Sequence, residues 1–96
     1  MALSRAHDRL TIPSRVVTRV IPGATILLNT LTGRYFTLDD IGSRAWALVT
    51  STSSLQEMFE ALLIEFDADA DELWSDLEDL VATLDARGLV EIHRGE

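Results

Sequence analysis

Cysteine is absent from the sequence, which excludes disulfide bonds and thiolate metal sites. Long apolar runs are also missing, since no stretch approaches the roughly 20 residues of a membrane-spanning helix. The opening residues, MALSRAHDRL, lack the apolar core of a secretory signal peptide. Together these absences favour a cytoplasmic protein. What is present is 96 residues, 47% of them apolar, which is enough for a single domain around one core.

Lysine is absent too, and the eight basic residues are arginines that are unevenly distributed. Residues 1–34 carry five arginines and one carboxylate, a net charge of +4. Residues 35–96 carry three arginines and fifteen carboxylates, a net charge of −12. The acidic second part would repel the phosphate backbone of a nucleic acid, whereas it would attract a basic peptide.

Three short strands are predicted in the first half of the chain, at residues 15–21, 24–29 and 34–38. Each of these segments is rich in β-branched, aromatic or other apolar residues and is bounded by turn residues. Pro22-Gly23 has the order that a type II turn requires, and Gly33 can supply a positive φ in the second loop. The three strands should form an antiparallel meander.

Side chains in this meander should alternate between a core face and an opposite face. We expect four apolar side chains to point into the core, namely Ile26, Leu28, Phe36 and Leu38. Tyr35 and Thr37 should lie on the opposite face. Residues 1–13 are expected to form a flexible arm, and residues 14–96 a single domain.

After the third strand the apolar residues follow a helical period. Asp39 or Asp40 is placed to cap a first helix by accepting a bond from a free backbone N–H group. Ser54 and Glu57 have the spacing of a capping box, which predicts the start of a second helix.

A third and longer helix is predicted from the apolar residues between Leu73 and Leu84. Gly88 suits the position after its last turn, and residues 89–92 read as a short final strand. A small N-terminal sheet followed by three helices and a short strand indicates an α+β fold of the winged helix-turn-helix type.

Candidate catalytic and metal sites are weak. His7 and His93 stand near opposite ends of the sequence, and neither has a partner nearby in the chain, so we expect no enzyme activity and no cofactor. Residues 67–78, DADADELWSDLE, place carboxylates at ligand positions of a calcium loop, but Glu72 occupies the place of the required glycine. These carboxylates are better explained as caps of the third helix, and no metal site is expected.

The third helix would be the DNA-reading helix of a winged-helix regulator. It carries six carboxylates and has an arginine only at its end, so we expect no nucleic-acid partner. An acidic winged-helix transcriptional regulator nevertheless stays open as an alternative function.

The third strand is a candidate interaction site, because it can lie at the edge of the meander. An edge strand offers unpaired N–H and C=O groups to a peptide that adds as a further strand. There are two alternatives: the third helix covers this edge, or two copies of the protein pair weakly through it.

Residues 27–49, LLNTLTGRYFTLDDIGSRAWALV, carry a resemblance to a known family. The order of a Thr-Gly-Arg-aromatic-aromatic strand, an Asp helix cap and a Gly-x-x-x-Trp helix resembles the PqqD-like family of precursor-recognition proteins. A Gly-Leu-Val after the third helix adds to this likeness. The matching positions here are Thr32, Gly33, Arg34, Tyr35, Phe36, Leu38, Asp39, Gly42, Trp46, Gly88, Leu89 and Val90.

The resemblance implies a recognition element that binds the leader segment of a ribosomally synthesised, modified precursor peptide. In such proteins the leader adds as a strand to the third strand and packs into a groove against the third helix. Carried over, the strand comprises Arg34, Tyr35, Phe36, Thr37, Leu38 and Asp39. The groove side of the helix comprises Leu73, Asp76, Leu77, Leu80 and Val81.

Within the family, the resemblance is greatest to the free-standing proteins of lasso peptide biosynthesis, which deliver the precursor to a leader peptidase. The implied partners are a leader peptide and that peptidase, without nucleic acid or membrane. The peptide chaperone of pyrroloquinoline quinone biosynthesis is the other alternative. It usually has an acidic Pro-Glu where this chain has Pro22-Gly23, and an Asp-Gly where this chain has residues 50–53.

Overall fold

The computed structural model describes residues 3–52 and 54–95. Within them the chain forms five strands and three helices. In chain order these are β1 (Arg9–Thr11), β2 (Val16–Ile21), β3 (Ala24–Asn29), β4 (Arg34–Leu38), α1 (Asp40–Ser51), α2 (Leu55–Phe66), α3 (Ala70–Ala86) and β5 (Glu91–His93). The expected fold class, a three-stranded antiparallel sheet followed by three helices and a short strand, is confirmed.

The main sheet has the order β2-β3-β4, and both of its pairs are antiparallel. A two-residue turn at Pro22-Gly23 joins β2 to β3, and Gly23 has a φ of 81° there. Gly33 has a φ of 72° in the loop before β4. A side chain at either position would strain the backbone, which explains why glycine occupies both turns.

The core face of β3 differs from the expected one. Leu27 lies opposite Phe36 and is 0% exposed, whereas Ile26 and Leu28 lie on the other face and are half-buried. Residues directly opposite in an antiparallel pair share a face, so the assignment of Phe36 and Leu38 to the core holds. The assignment of Ile26 and Leu28 to that face was wrong, because three consecutive apolar residues left the alternation ambiguous.

Asn29 is a polar residue of β3 that faces the core, and hydrogen bonds satisfy its buried side chain. Its Nδ2 atom donates to the carbonyl oxygen of Arg87 at 2.9 Å, and its Oδ1 atom accepts from the N–H of Leu31 at 3.0 Å. A buried amide is tolerated when its hydrogen-bonding groups are satisfied. Through Asn29 the end of β3 is therefore fixed to the end of α3.

The outer face of the main sheet carries apolar and aromatic side chains, and no element of residues 3–52 and 54–95 packs over them as a second layer. Val17 is 52% exposed and Tyr35 is 67% exposed, and both flank Leu28 across the strands. Thr37 lies opposite Ile26 on the same face. Tyr35 and Thr37 therefore both occupy the face that was expected for them. Among the residues that the structure describes, the core therefore forms on the opposite side of the sheet, beneath the helices.

The helices begin at the capping residues that the sequence indicates. The carboxylate of Asp39 accepts from the N–H of Gly42 at 2.8 Å, and the hydroxyl of Ser54 accepts from the N–H of Glu57 at 3.2 Å. Asp69 caps α3 in the same way. These bonds satisfy N–H groups that the first turn of a helix leaves unpaired. The core then forms where the three helices cover Leu27 and Leu38.

Residues 1–13, expected to form a flexible arm, include two features that contact the domain. β1 pairs antiparallel with β5, with Leu10 opposite Ile92, and Leu10 is buried. The carboxylate of Asp8 is also buried, and it accepts hydrogen bonds from the N–H groups of Ser4 and Gly95 and from the guanidinium of Arg94. The two ends of the described chain therefore meet.

Acid is expected to loosen this junction. Hydrogen bonding from the Ser4 N–H, joined by Gly95 and Arg94, lowers the pKa of Asp8 against the opposing effect of its burial. Because the folded-state pKa lies below the unfolded value of about 4, the stabilisation is complete above that pH and is lost as pH falls through the folded-state pKa. Asp8→Asn should lower the free energy of unfolding near neutral pH by about 1.5–3 kcal/mol and flatten this acid dependence.

Urea unfolding between pH 2 and 7 measures both effects, and Asp79→Asn on the exposed surface of α3 serves as the matched control. Equal acid dependence in Asp8→Asn and the unchanged protein would show that Asp8 does not couple folding to pH.

Candidate functional site

A groove lies between β4 and α3, next to the start of α1. Its volume is about 320 Å³. Strand residues form one wall and residues of α3 the other. The lining consists of Phe36, Thr37, Leu38, Asp39, Ile41, Gly42, Leu73, Asp76, Leu77 and Leu80.

The floor of the groove is apolar and firmly packed. Leu73 is 3% exposed and Leu77 is 4% exposed, and Leu38 is 2% exposed at the end of β4. Leu80 and Phe36 are half-buried and pack against the core. The groove can therefore receive apolar side chains, while the residues beneath it also support the fold.

A second opening continues the groove past Phe36, which lines both. It has a volume of about 570 Å³ and lies between the start of β4 and the end of α3. The guanidinium carbon of Arg87 sits 5.1 Å from the centre of the Phe36 ring, within the range of a cation–π contact. Arg34 and Tyr35 line the same opening.

β4 supplies the free edge beside this groove. Within the described chain, β4 pairs with β3 and its other side has no strand partner. N–H and C=O groups along that side can accept a further strand. The groove and the edge are adjacent, so an added strand would have backbone partners on one flank and apolar pockets on the other.

The structure brings together most of the residues that the sequence indicated. Arg34 to Asp39 line the groove or its continuation, and so do Leu73, Asp76, Leu77 and Leu80. Val81 is 1% exposed and lines a small apolar cavity inside the core instead, so we leave it out of the proposed surface.

Sequence reasoning did not include Ile41, Gly42 and Arg87 in the site. Gly42 is closely surrounded, because an added Cβ would lie 3.2 Å from side-chain atoms of Leu38 and Asp39, which would have to shift slightly to accommodate it. Ile41 is 38% exposed beside the groove. The signal that could have found Ile41 is its place in the first helical turn after the strand.

The electrostatic character of the groove is mixed. Asp39 and Asp76 line one end, and Arg34 and Arg87 line the other. Among residues 3–52 and 54–95, no group of three or more His, Asp or Glu side chains is placed to hold a metal ion. Nor does any helix in that part of the chain combine the length and apolar character needed to span a membrane.

Comparison with known proteins assigns the family. The family described as coenzyme PQQ synthesis protein D (PqqD) matches residues 24–90. This chain belongs to the PqqD family. The family resemblance expected from the residues around the β3–β4 hairpin is therefore confirmed. The matched region contains β3, β4 and all three helices, and so it includes β4, α1 and α3, which line the groove.

Two solved structures resemble this PqqD-family protein closely in fold. One is TbiB1 in complex with the TbiA(beta) leader peptide, with a TM-score of 0.77 and 34% identity over 83% of this chain and 93% of that chain. The other is a lasso peptide synthetase B1 complexed with the leader peptide, with a TM-score of 0.77 and 17% identity over 86% of this chain and 98% of that chain. No curated protein matches this chain.

Proposed function

We propose that this PqqD-family protein is a non-catalytic adaptor that binds the leader segment of a ribosomally synthesised precursor peptide. The leader adds as a strand to the free edge of β4 and places side chains in the groove against α3. One observation carries the proposal: the free edge and the groove adjoin in a chain that is 34% identical to TbiB1, a protein solved with its leader peptide.

The geometry supports strand addition over docking of a helix. Main-chain hydrogen bonds to β4 would provide affinity that depends little on sequence, and alternate side chains would point towards α3. Phe36 and Leu80 are half-buried at the groove, so an apolar side chain of the leader would cover them. Selectivity would then come from the shape of the apolar floor and the charges at its ends.

The adaptor would deliver the bound leader to a separate leader peptidase of lasso peptide maturation. Precursor peptides of this kind are made by ribosomes, so the adaptor would act in the cytoplasm. A strand added to β4 would also compete with any weak homodimer that forms through the same edge.

Fluorescence polarisation with a labelled TbiA(beta) leader peptide tests the proposal. We expect saturable binding at low micromolar concentration or below, about −8 kcal/mol, and no comparable binding of a scrambled peptide. A folded sample that shows no binding would refute leader recognition by the isolated domain.

Strand addition predicts that the effect of a single backbone change on affinity alternates from one leader residue to the next. A series of leader peptides, each with one backbone N-methyl group, should alternate between strongly weakened and nearly unchanged affinity across about five residues, because every second N–H of an added strand faces β4. Each lost hydrogen bond should cost roughly 0.5–1.5 kcal/mol, with added steric cost from the methyl group. Polarisation titrations of the series measure this pattern, and loss without alternation would contradict strand addition.

Two other functions make different predictions. A peptide chaperone of pyrroloquinoline quinone biosynthesis would bind the precursor of that pathway in preference to a lasso leader. A winged-helix regulator would bind DNA, although α3 exposes Asp71, Asp76 and Asp79 on the helix that would approach the phosphates. Competition titrations with each ligand separate these outcomes.

A further inference from the structure

The groove carries opposite charges at its two ends, although the whole chain has a net charge of −8. Asp39 and Asp76 lie at the end where α1 begins. Arg34 and Arg87 lie at the end where α3 stops. The net negative charge of the protein would attract a basic peptide in either orientation. A charge that changes sign along the groove, by contrast, favours one orientation of a ligand whose two ends are oppositely charged.

The same charge order appears on both walls of the groove. β4 and its flanking cap run from Arg34 to Asp39, a distance of about 17 Å in an extended strand. On α3, Asp76 and Arg87 are separated by about 16 Å of helical rise. The two walls run in opposite directions, and their spans match, so each end of the groove has the same sign of charge on both sides.

These charges are not neutralised by one another within the described residues. The ion pairs found there join Arg44 to Glu65 and Arg94 to Asp8, and neither pair reaches the groove. Asp39 uses one carboxylate oxygen to cap α1, and Arg87 contacts the ring of Phe36, but neither has an oppositely charged partner among the described residues. An arriving ligand therefore meets two carboxylates at one end and two guanidinium groups at the other.

We propose that the groove selects leader segments in which a basic residue precedes an acidic residue by four or six positions, with apolar residues between them, because an even spacing points both side chains towards α3. This inference rests on the proposed function. Antiparallel pairing is the more common arrangement at a sheet edge, and it places the N-terminal end of the added strand beside Leu38 and Asp39. The basic side chain then faces Asp39 and Asp76, and the acidic one faces Arg34 and Arg87.

Two labelled peptides of identical composition test this order. Both keep the apolar residues of the TbiA(beta) leader, and they differ in exchanging one Lys and one Glu at the two flanks. The peptide with Lys first should bind at least about tenfold more tightly at low salt, and the ratio should shrink as salt is raised, because screening weakens exposed charge pairs.

A protein variant in which each end of the groove is electrically neutral provides the matched control. The double substitution Asp76→Arg and Arg34→Glu leaves the net charge at −8 and retains the cap at Asp39. Each end of its groove then has one acidic and one basic group, so the variant should bind the two peptides with nearly equal affinity. Its unfolding curve should stay close to that of the unchanged protein, because both side chains are exposed. A variant that kept the preference for Lys first would contradict the charge order.

The outcomes separate this inference from the function on which it rests. If the unchanged protein bound the TbiA(beta) leader but had equal affinity for the two designed peptides, the proposed charge order would be overturned. A preference of the unchanged protein for the peptide with Glu first would overturn it as well. Absence of binding by that native leader would instead remove the proposed function, and the charge order with it.

Discussion

Leu80→Asp is expected to weaken binding of the TbiA(beta) leader by about 100-fold or more, equivalent to roughly 2.8 kcal/mol, while the protein stays folded. Leu80 is half-buried and lines the groove opposite Phe36 and Leu38. A carboxylate at this position would remain hydrated in the free protein. In the complex it would lose water against apolar side chains of the leader, which is costly without a compensating hydrogen bond.

Ile64→Asp is the matched control, because Ile64 lies on α2 and is 83% exposed. It makes the same change of hydrophobicity and charge outside the groove. Polarisation titrations should show leader affinity within about threefold of the unchanged protein for Ile64→Asp, since surface substitutions seldom cost more than 0.5 kcal/mol. If Leu80→Asp bound as well as Ile64→Asp, the groove would not be the leader site.

Leu77→Asp, three residues earlier on the same helix, is expected to unfold the protein. Leu77 is 4% exposed, and it contacts both the groove and the interior apolar cavity beside Trp46 and Met58. Burying an unpaired carboxylate there should cost about 4 kcal/mol or more. That is most of the stability of a small domain near the lower end of the usual range of about 5–15 kcal/mol. The groove-side position of Leu77 that the family resemblance implies would instead predict a folded variant that has lost leader binding.

Circular dichroism and urea unfolding followed by tryptophan fluorescence measure this loss. Leu77→Met is the matched control, since a swap of similar volume should cost less than about 1.5 kcal/mol. A folded Leu77→Asp protein with no leader affinity would show that Leu77 acts in the groove and is not needed for the core.

The layout of the fold could be predicted because its signals are local. Pro22-Gly23 and Gly33 mark turns whose dihedral angles few other residues adopt, and both have positive-φ glycines in the structure. Asp39, Ser54 and Asp69 cap the three helices. Such signals depend on neighbours within a few residues, so they can be read without knowledge of tertiary contacts.

Long-range contacts could not be predicted in the same way. The pairing of Leu10 with Ile92 joins two three-residue strands from opposite ends of the sequence, and neither is long enough to show a clear alternation. The three consecutive apolar residues of β3 left its core face ambiguous. The residue that marks this face is Asn29, whose burial depends on a hydrogen bond to Arg87, 58 residues away.

The candidate site could be located but not divided into groove and core. Apolar residues of α3 recur at Leu73, Leu77, Leu80, Val81 and Leu84, a stripe too wide for a helical wheel to separate the two faces. The separation depends on how α3 lies against β4. Val81 and Leu80 are adjacent in sequence, yet one is enclosed in the core and the other borders the groove.

The junction at Asp8 affects the order in which parts of the chain fold. Its bond to Arg94 closes a loop of 86 residues, whereas the β3–β4 hairpin and α1 are contiguous in sequence. Closing the long loop costs more chain entropy, so this junction should form late in folding and open early in unfolding. The first and last strands would then separate from the domain together, because removing residues from one end removes the hydrogen-bonding partners of the other end.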